Sequence, residues 1–486
     1  MSETAAPQKT SLLRRLFVPL VIYVVAAGAY VGTAANRLKT PSIDNHYVYL
    51  ANNLLHGRLS LEGSPPHQND WALVTNLVLK DGSKVRGTFL KTGGTGWFKT
   101  TKGERLEITD DMIGSRDYTY YVSFPFLPAL LMLPFVAIWG MKFNDILFTA
   151  LWAGLNPVLI YYVLRRLRAM KLSSITPAQD LWLVAMFAFG TVHFYSSVMG
   201  QVWFTAHIIG VTITCLYMLA ALEGRHPFLA GLFLGLGFVT RTPIPFTFPL
   251  ALGEVLRRNL RPLAEGEQGP GDGCNRPPLM AWIRHLVPRV AWGPSLRQLV
   301  LMGIPAVSIA ALAFLLNYLR FENPFEFGHY FLNVRWAERI QRWGLFNYHF
   351  LARNLAVMFT MLPWIMVRHP YVKIPWHGLS IFVTTPAFAL LIWPRRRSPV
   401  QPWLYLSVLL PMILHLFYQN SGWVQFGYRF SLDYTVFLFA LLAVGGHRLG
   451  WLFKIMVIWS VAVNTFGAVT FNRFMQFYWD GMFPVN

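Results

Sequence analysis

The sequence predicts an all-α polytopic membrane protein of about eleven transmembrane helices, with a small β insertion in the first outer loop. Three observations carry that expectation. The chain of 486 residues is 54% hydrophobic and only 13% charged, too apolar to cover a soluble surface. Its basic residues give a net charge of +20 and fall in short clusters at the ends of apolar runs, as cytoplasmic loops require. Between Asp70 and Asp117, by contrast, apolar and polar residues alternate around Asp-Gly and Gly-Gly turns, the pattern of two to four antiparallel strands. No basic stripe with interleaved aromatics occurs, so nucleic acid is not an expected partner.

Each segment follows from the rule that a span satisfies its own backbone as a helix while Lys and Arg stay inside. Residues 1–35 hold an N-terminal segment and a first span (17–35); its apolar stretch is longer than a signal-peptide core, and Arg14 and Arg15 keep its start inside. Residues 36–144 then form the first outer loop, with the Asp44 motif, the β insertion at about 71–117 and a proline-rich interfacial helix at about 122–140. Residues 145–317 carry spans two to seven, including two short helices that meet near Arg241, and a cytoplasmic linker at about 258–297 whose Gly/Pro-rich part is 264–278. A second outer loop, 318–376, mixes charges with aromatics as amphipathic helices do. Spans eight to eleven fill 377–486, with the eighth at 377–393. Cys215 lies in a span and Cys274 in the linker, so no disulfide joins them.

This threading collects polar residues at or beyond the outer ends of the spans: Asp44, His46, Asp70, His207, Arg241, Glu322, Glu326, His329, Arg335, Arg429 and Asp433. Ionisable groups at that depth are costly and mark pathways or sites. Walker loops, dinucleotide turns, nucleophile elbows and metalloprotease helices are absent from the sequence. A carboxylate beside a membrane, with arginines at the same depth, suits a lipid-phosphate donor: the arginines hold the phosphate and the carboxylate deprotonates an attacking hydroxyl. Simpler roles compete. Asp44 suits a helix cap, Asp70 a turn, Arg241 a span-end anchor, and Arg429 a salt bridge to Asp433 one helical turn on.

The order of "SIDNHYVYLANNLLHGRL", "PPHQNDWA", "YYVSFPFLPALLMLPFVAIWG", "AGLFLGLGFVTRTPIPFTFPLAL", "FENPFEFGHY" and "FGYRFSLDYTVFLFALLA" resembles the GT-C membrane glycosyltransferases that use polyprenyl-phosphate sugars. The bacterial protein-mannosyltransferase-like and aminoarabinose- or galacturonic-acid-transferase-like members are the nearest in pattern. The resemblance implies a GT-C-like fold in a bacterial plasma (inner) membrane, with the active site on the periplasmic face. It implies a polyprenyl-phosphate sugar donor, a lipid, glycan or protein acceptor, and membrane lipids as partners. Asp44 then matches the first-loop general base, and Arg429 the late arginine that contacts the lipid-linked phosphate. Many relatives carry two adjacent acids where this chain has Asp44 and Asn45, which makes Asp70 the candidate second catalytic carboxylate. Arg241 and Tyr428 join Arg429 as donor-phosphate candidates, and His46, Tyr47, His207, Glu326 and His329 as substrate-binding ones. No cofactor is expected: some relatives need a divalent cation, yet Asp44, Asp70, Asp110 and Asp111 lack ligand spacing. Two other classes stand beside this one. A lipid or sugar transporter or flippase would show internal repeats, and a polysaccharide polymerase or ligase would gather its arginines in one late loop.

Overall fold

Where the helices of this chain stop is set by proline, glycine and charge. A computed structural model describes residues 12–92, 96–262 and 287–479; the linker stretch 264–278 and Cys274 lie outside them. Among the described residues, five helical stretches are long and apolar enough to cross a membrane: Leu16–Lys39, Asp145–Ala169, Val202–Gly224, Trp292–Phe321 and Trp451–Thr470. Shorter apolar helices cover Leu127–Lys142, Pro227–Phe238, Gln401–Phe417 and Thr435–Val444.

The long stretches contain helices α1 (Leu12–Ala34), α4 and α5 (Asp145–Ala153 and Leu155–Ala169), α8 (Val202–Ala221), α11 (Trp292–Phe321) and α17 (Trp451–Thr470). Of these, α8 is enclosed by the bundle on nearly every side, whereas α1 and α11 expose most of their apolar surface, as lipid-facing helices do. Helix α9 (Pro227–Phe238) crosses α11 closely: a Cβ on Gly231 would meet the Met302 carbonyl oxygen at 1.8 Å, the small-residue packing typical of membrane helices. Helices α1 and α17 cap each other. Arg37 donates to the carbonyls of Ala468, at 3.1 Å, and of Phe471, while Arg473 donates to that of Ala34, so each helix end receives its cation from the other's chain.

Two expected elements differ. The eighth span is no continuous helix: Ile381–Thr384 is helical (α14), and Pro386–Ile392 forms a 3₁₀ stretch. Pro386 has no N–H to continue the first turn and excludes the helical conformation from Thr385. The β insertion has five strands rather than two to four: β1 (Trp71–Leu79), β2 (Lys84–Phe89), β3 (Trp97–Thr100), β4 (Arg105–Glu107) and β5 (Ile113–Val122). They form one antiparallel sheet in the order β4-β3-β2-β1-β5. It therefore runs on to Val122, because Tyr118, Tyr120 and Tyr121 suit a pleated face, and the following helix α3 starts only at Leu127, with Pro128 in its first turn.

The sheet is fixed to the bundle at the start of β1. Trp71 is fully buried and pairs with Val122; Leu73 N donates to Phe331 O at 2.8 Å. Arg86 and Thr101 both reach Glu322, at the end of α11, at 2.9 Å. At the far end of α8 the charges pair differently. Arg166 and Arg225 hold Glu223, Arg168 holds Asp180, and Arg257 holds Glu254 at 2.7 Å.

Candidate active site: two carboxylates facing an arginine

The first outer-loop motif comes back to the start of α8. Val202 N donates to the Asp44 carbonyl at 3.0 Å, and the Gln201 side-chain amide donates to Asp44 Oδ2 at 2.6 Å. Gly200 makes that approach possible. Its φ is +71°, and a Cβ there would meet Ile146 Cα at 2.5 Å. Asp44 Oδ1 lies 3.6 Å from His67 Nε2. Helix α2 (His46–Leu55) begins behind Asn45 without a side-chain cap bond, so the Asp44 carboxylate is turned toward α8 and caps nothing. Burial raises its pKa, while His67, Gln201 and Asn69 pull the other way.

Asp70 arrives from the residue before β1. Its backbone adopts the left-handed conformation, φ +60°, which a non-glycine residue holds only where its surroundings enforce it. The enforcing contact is local: Trp71 is locked into the sheet core, and His46 stacks on it with ring centres 4.0 Å apart. Trp203 Nε1 donates to Asp70 Oδ2 at 3.1 Å. Burial first, and the negative charge of Asp44 second, push the Asp70 carboxyl up to about 7, with Trp203 and Arg429 opposing.

Arg429 enters from the 3₁₀ turn Arg429–Asp433, between α15 (Gln401–Phe417) and α16 (Thr435–Val444). Its Nη1 donates to the Val424 carbonyl at 2.8 Å, and its guanidinium lies 5.3 Å over the Phe204 ring and 5.6 Å over Phe430. Its Nε is buried without a protein partner among the described residues. Arg429 does not pair with Asp433. Arg241 takes that carboxylate in a fork of 3.0 and 2.7 Å, and His415 Nε2 stands 3.0 Å from the same group.

His207, one turn along α8 from Trp203, uses Nδ1 on the Trp203 carbonyl at 2.7 Å and keeps Nε2 without a partner among the described residues. The buried hydroxyls of Tyr47 and Tyr428 are equally unpartnered there. Tyr47 and Tyr418 lie within electrostatic reach of Arg241.

The fold thus brings Asp44, His46, Tyr47, Asp70, His207, Arg241, Tyr428 and Arg429 into one neighbourhood. Glu326 and His329 stay outside it. Glu326 accepts from Tyr330 N at 3.2 Å, near Lys99, whose ammonium sits 3.5 Å over the Tyr330 ring; His329 is buried in the same seam between sheet and loop. Sequence reasoning missed Gln201, Trp203, His67, His415 and Tyr418. One signal existed: in "GQVWFTAH" Trp203 and His207 are four residues apart and share a helix face. No group of three metal-ligating side chains occurs among the described residues.

Chemically the arrangement offers a buried carboxylate able to accept a proton, a second one near neutrality, and a cation with a spare N–H opposite them. No family model matches this chain, and no curated protein matches it. Among solved structures, the chain is similar to the archaeal oligosaccharyltransferase AglB from Archaeoglobus fulgidus, in complex with an inhibitory peptide and a dolichol-phosphate. Identity is 12% and the TM-score 0.41, over 97% of this chain and 57% of that one. This chain spans little more than half the length of that protein.

Proposed function

We propose that the protein is an integral membrane glycosyltransferase of GT-C-like architecture that moves a sugar from a polyprenyl-phosphate donor to an acceptor hydroxyl on a lipid, glycan or protein. The single observation behind this reading is the meeting of Asp44 and Asp70 on the start of α8, opposite an Arg429 that forms no ion pair among the described residues. In this reading the site lies on the outer, periplasmic face of a bacterial plasma membrane, the side to which the positive-inside rule assigns the loop that carries Asp44.

The reaction is a direct displacement. Asp44 takes the proton from the acceptor hydroxyl, whose oxygen attacks the anomeric carbon as the bond from that carbon to the phosphate oxygen breaks. Arg429, with the Tyr428 hydroxyl, holds the departing phosphate, an interaction that strengthens as charge builds on it. Arg241 contributes less, because Asp433 already occupies Nε and Nη2. Asp70, kept near neutrality, positions the acceptor beside Asp44. One in-line step inverts the anomeric centre.

The experiment is sugar transfer from synthetic polyprenyl-phosphate hexoses by the purified protein in lipid, native chain against Asp44→Asn. The reading expects the variant to bind donor and fail to consume it. Equal turnover by both chains would remove Asp44 from the chemistry, and no turnover with any donor would return the chain to the transporter class.

A further inference from the structure

Beyond the carboxylate site, the fold gathers a second set of cations with no ion-pair partner among the described residues. Arg339, in the helix Ala337–Trp343, and Arg353, in the helix Leu351–Leu355, both donate to the backbone carbonyl of Gln419, through Nη1 at 3.5 Å and Nη2 at 2.7 Å. One carbonyl oxygen therefore holds two guanidinium groups side by side. His377, whose Nδ1 lies 2.7 Å from Ser421 Oγ, feels both charges. Neither arginine forms an ion pair among the described residues; burial, and then Arg339, lower Arg353 to about 10. Like charges drawn together and half withdrawn from water repel, and an anion relieves that repulsion best.

Aromatic faces stand beside these cations. Trp423 meets Trp336 at 5.7 Å and Trp376 at 5.9 Å between ring centres. Trp336 precedes Arg339 by three residues, Trp423 follows Gln419 by four, and Trp376 adjoins His377. The buried Trp376 Nε1 has no protein partner among the described residues. A guanidinium pair offers forked donors to a phosphate, and tryptophan faces offer an apolar platform with a polar edge. That combination fits a sugar carrying a phosphate better than a bare ion or a flat lipid surface.

This cluster is also wired to the proposed active site. Gln425 Nε2 donates to the carbonyls of His377 and Ser421, each at 2.8 Å, and Gln425 Oε1 accepts from Arg429 N at 3.0 Å. We infer that the cluster of Arg339, Arg353, His377 and the three tryptophans binds a phosphate-bearing saccharide, the anionic part of the acceptor. The acceptor role rests on the glycosyl-transfer reading above; the saccharide-phosphate site does not.

The test is calorimetric titration of the full chain in phosphatidylcholine nanodiscs with mannose 6-phosphate, using mannose and inorganic phosphate as controls. The sugar phosphate is expected to bind about tenfold or more tightly than either control, and each Arg→Gln change at Arg339 and Arg353 to weaken it about tenfold. Arg339→Lys with Arg353→Lys, which keeps the charge, is expected to retain part of the affinity, so that a loss on Arg→Gln is not a loss of fold. Unaltered binding in the Gln variants overturns the inference, as does no preference for the sugar phosphate. Nanodiscs containing phosphatidylglycerol separate the sources: if they abolish sugar-phosphate binding, the cluster is a lipid-headgroup site and the inference falls. Binding as expected, with no polyprenyl-phosphate donor consumed, upholds the site and overturns the glycosyl-transfer reading alone.

Discussion

The two ends of helix α8 treat their acids in opposite ways. Around the half-buried Glu223 and the buried Asp180 and Glu254, each carboxylate has an arginine: Arg166 for Glu223, Arg168 for Asp180, Arg257 for Glu254. At the Asp44 end, two carboxylates are buried on neutral donors, Gln201 and Trp203, while Arg429 spends its bonds on a backbone carbonyl. Matched charges are at rest, and removing one partner costs stability. Charges left unmatched cost stability as they stand, and a site is the usual reason for keeping them. One member of the Asp44 end belongs with the first kind: the Arg241 fork on Asp433 is a structural pair set beside the chemistry.

That contrast can be broken by substitution, largest effect first. Asp44→Asn is expected to lower turnover by about 10²–10⁴-fold, the usual contribution of a general base, with a melting temperature within a few degrees of wild type in detergent. Arg429→Gln should lower kcat by about 10²–10³-fold, as loss of one donor to a developing oxyanion does; single-turnover assays with saturating donor measure it. Asp433→Asn strands the buried Arg241 and is expected to cost about 3–5 kcal/mol of stability, seen in thermal unfolding before activity is assayed. Glu254→Gln, at the other end, should cost about 1.5–3 kcal/mol and leave kcat unchanged; a fall in kcat at equal folding would erase the distinction between the ends.

A pH series sharpens the same point. The folded Asp70 carboxyl titrates at about 7 rather than at its ordinary 3.8. Between those values the folded chain holds a proton that the unfolded chain has released, so stability falls as pH rises through that window. Asp70→Asn is expected to flatten this part of the pH profile and to be the more stable protein at pH 8; parallel melting curves at pH 5 and pH 8 decide it. A wild-type profile no steeper than that of the variant removes Asp70 as a buried, uncompensated acid.

Much of this was legible in the sequence. The apolar runs at 17–35, 145–164, 203–222, 298–317 and 452–470 became the five long stretches, since length and composition suffice where a helix faces lipid. The carboxylate in the first loop and the arginine in "GYRF" were visible as costly residues at span ends. Their neighbours were less so. Gln201 carries no charge and sits at a helix start, where polar residues are common. The competing pair of Arg429 with Asp433 does not form, because residues four apart face each other only on an α-helix; residues 429–433 form a 3₁₀ turn, with three residues per turn. The interruption of the eighth span at Pro386 was hidden by an apolar run long enough to suggest a crossing.

The exchange of arginines between α1 and α17 bears on the order of biosynthesis. Ala34 emerges from the ribosome long before Arg473, so the C-terminal carbonyls of α1 wait for a cation encoded more than 400 residues later. A chain cut short before Arg473 would therefore leave the last turn of α1 without the cation that its carbonyl accepts from.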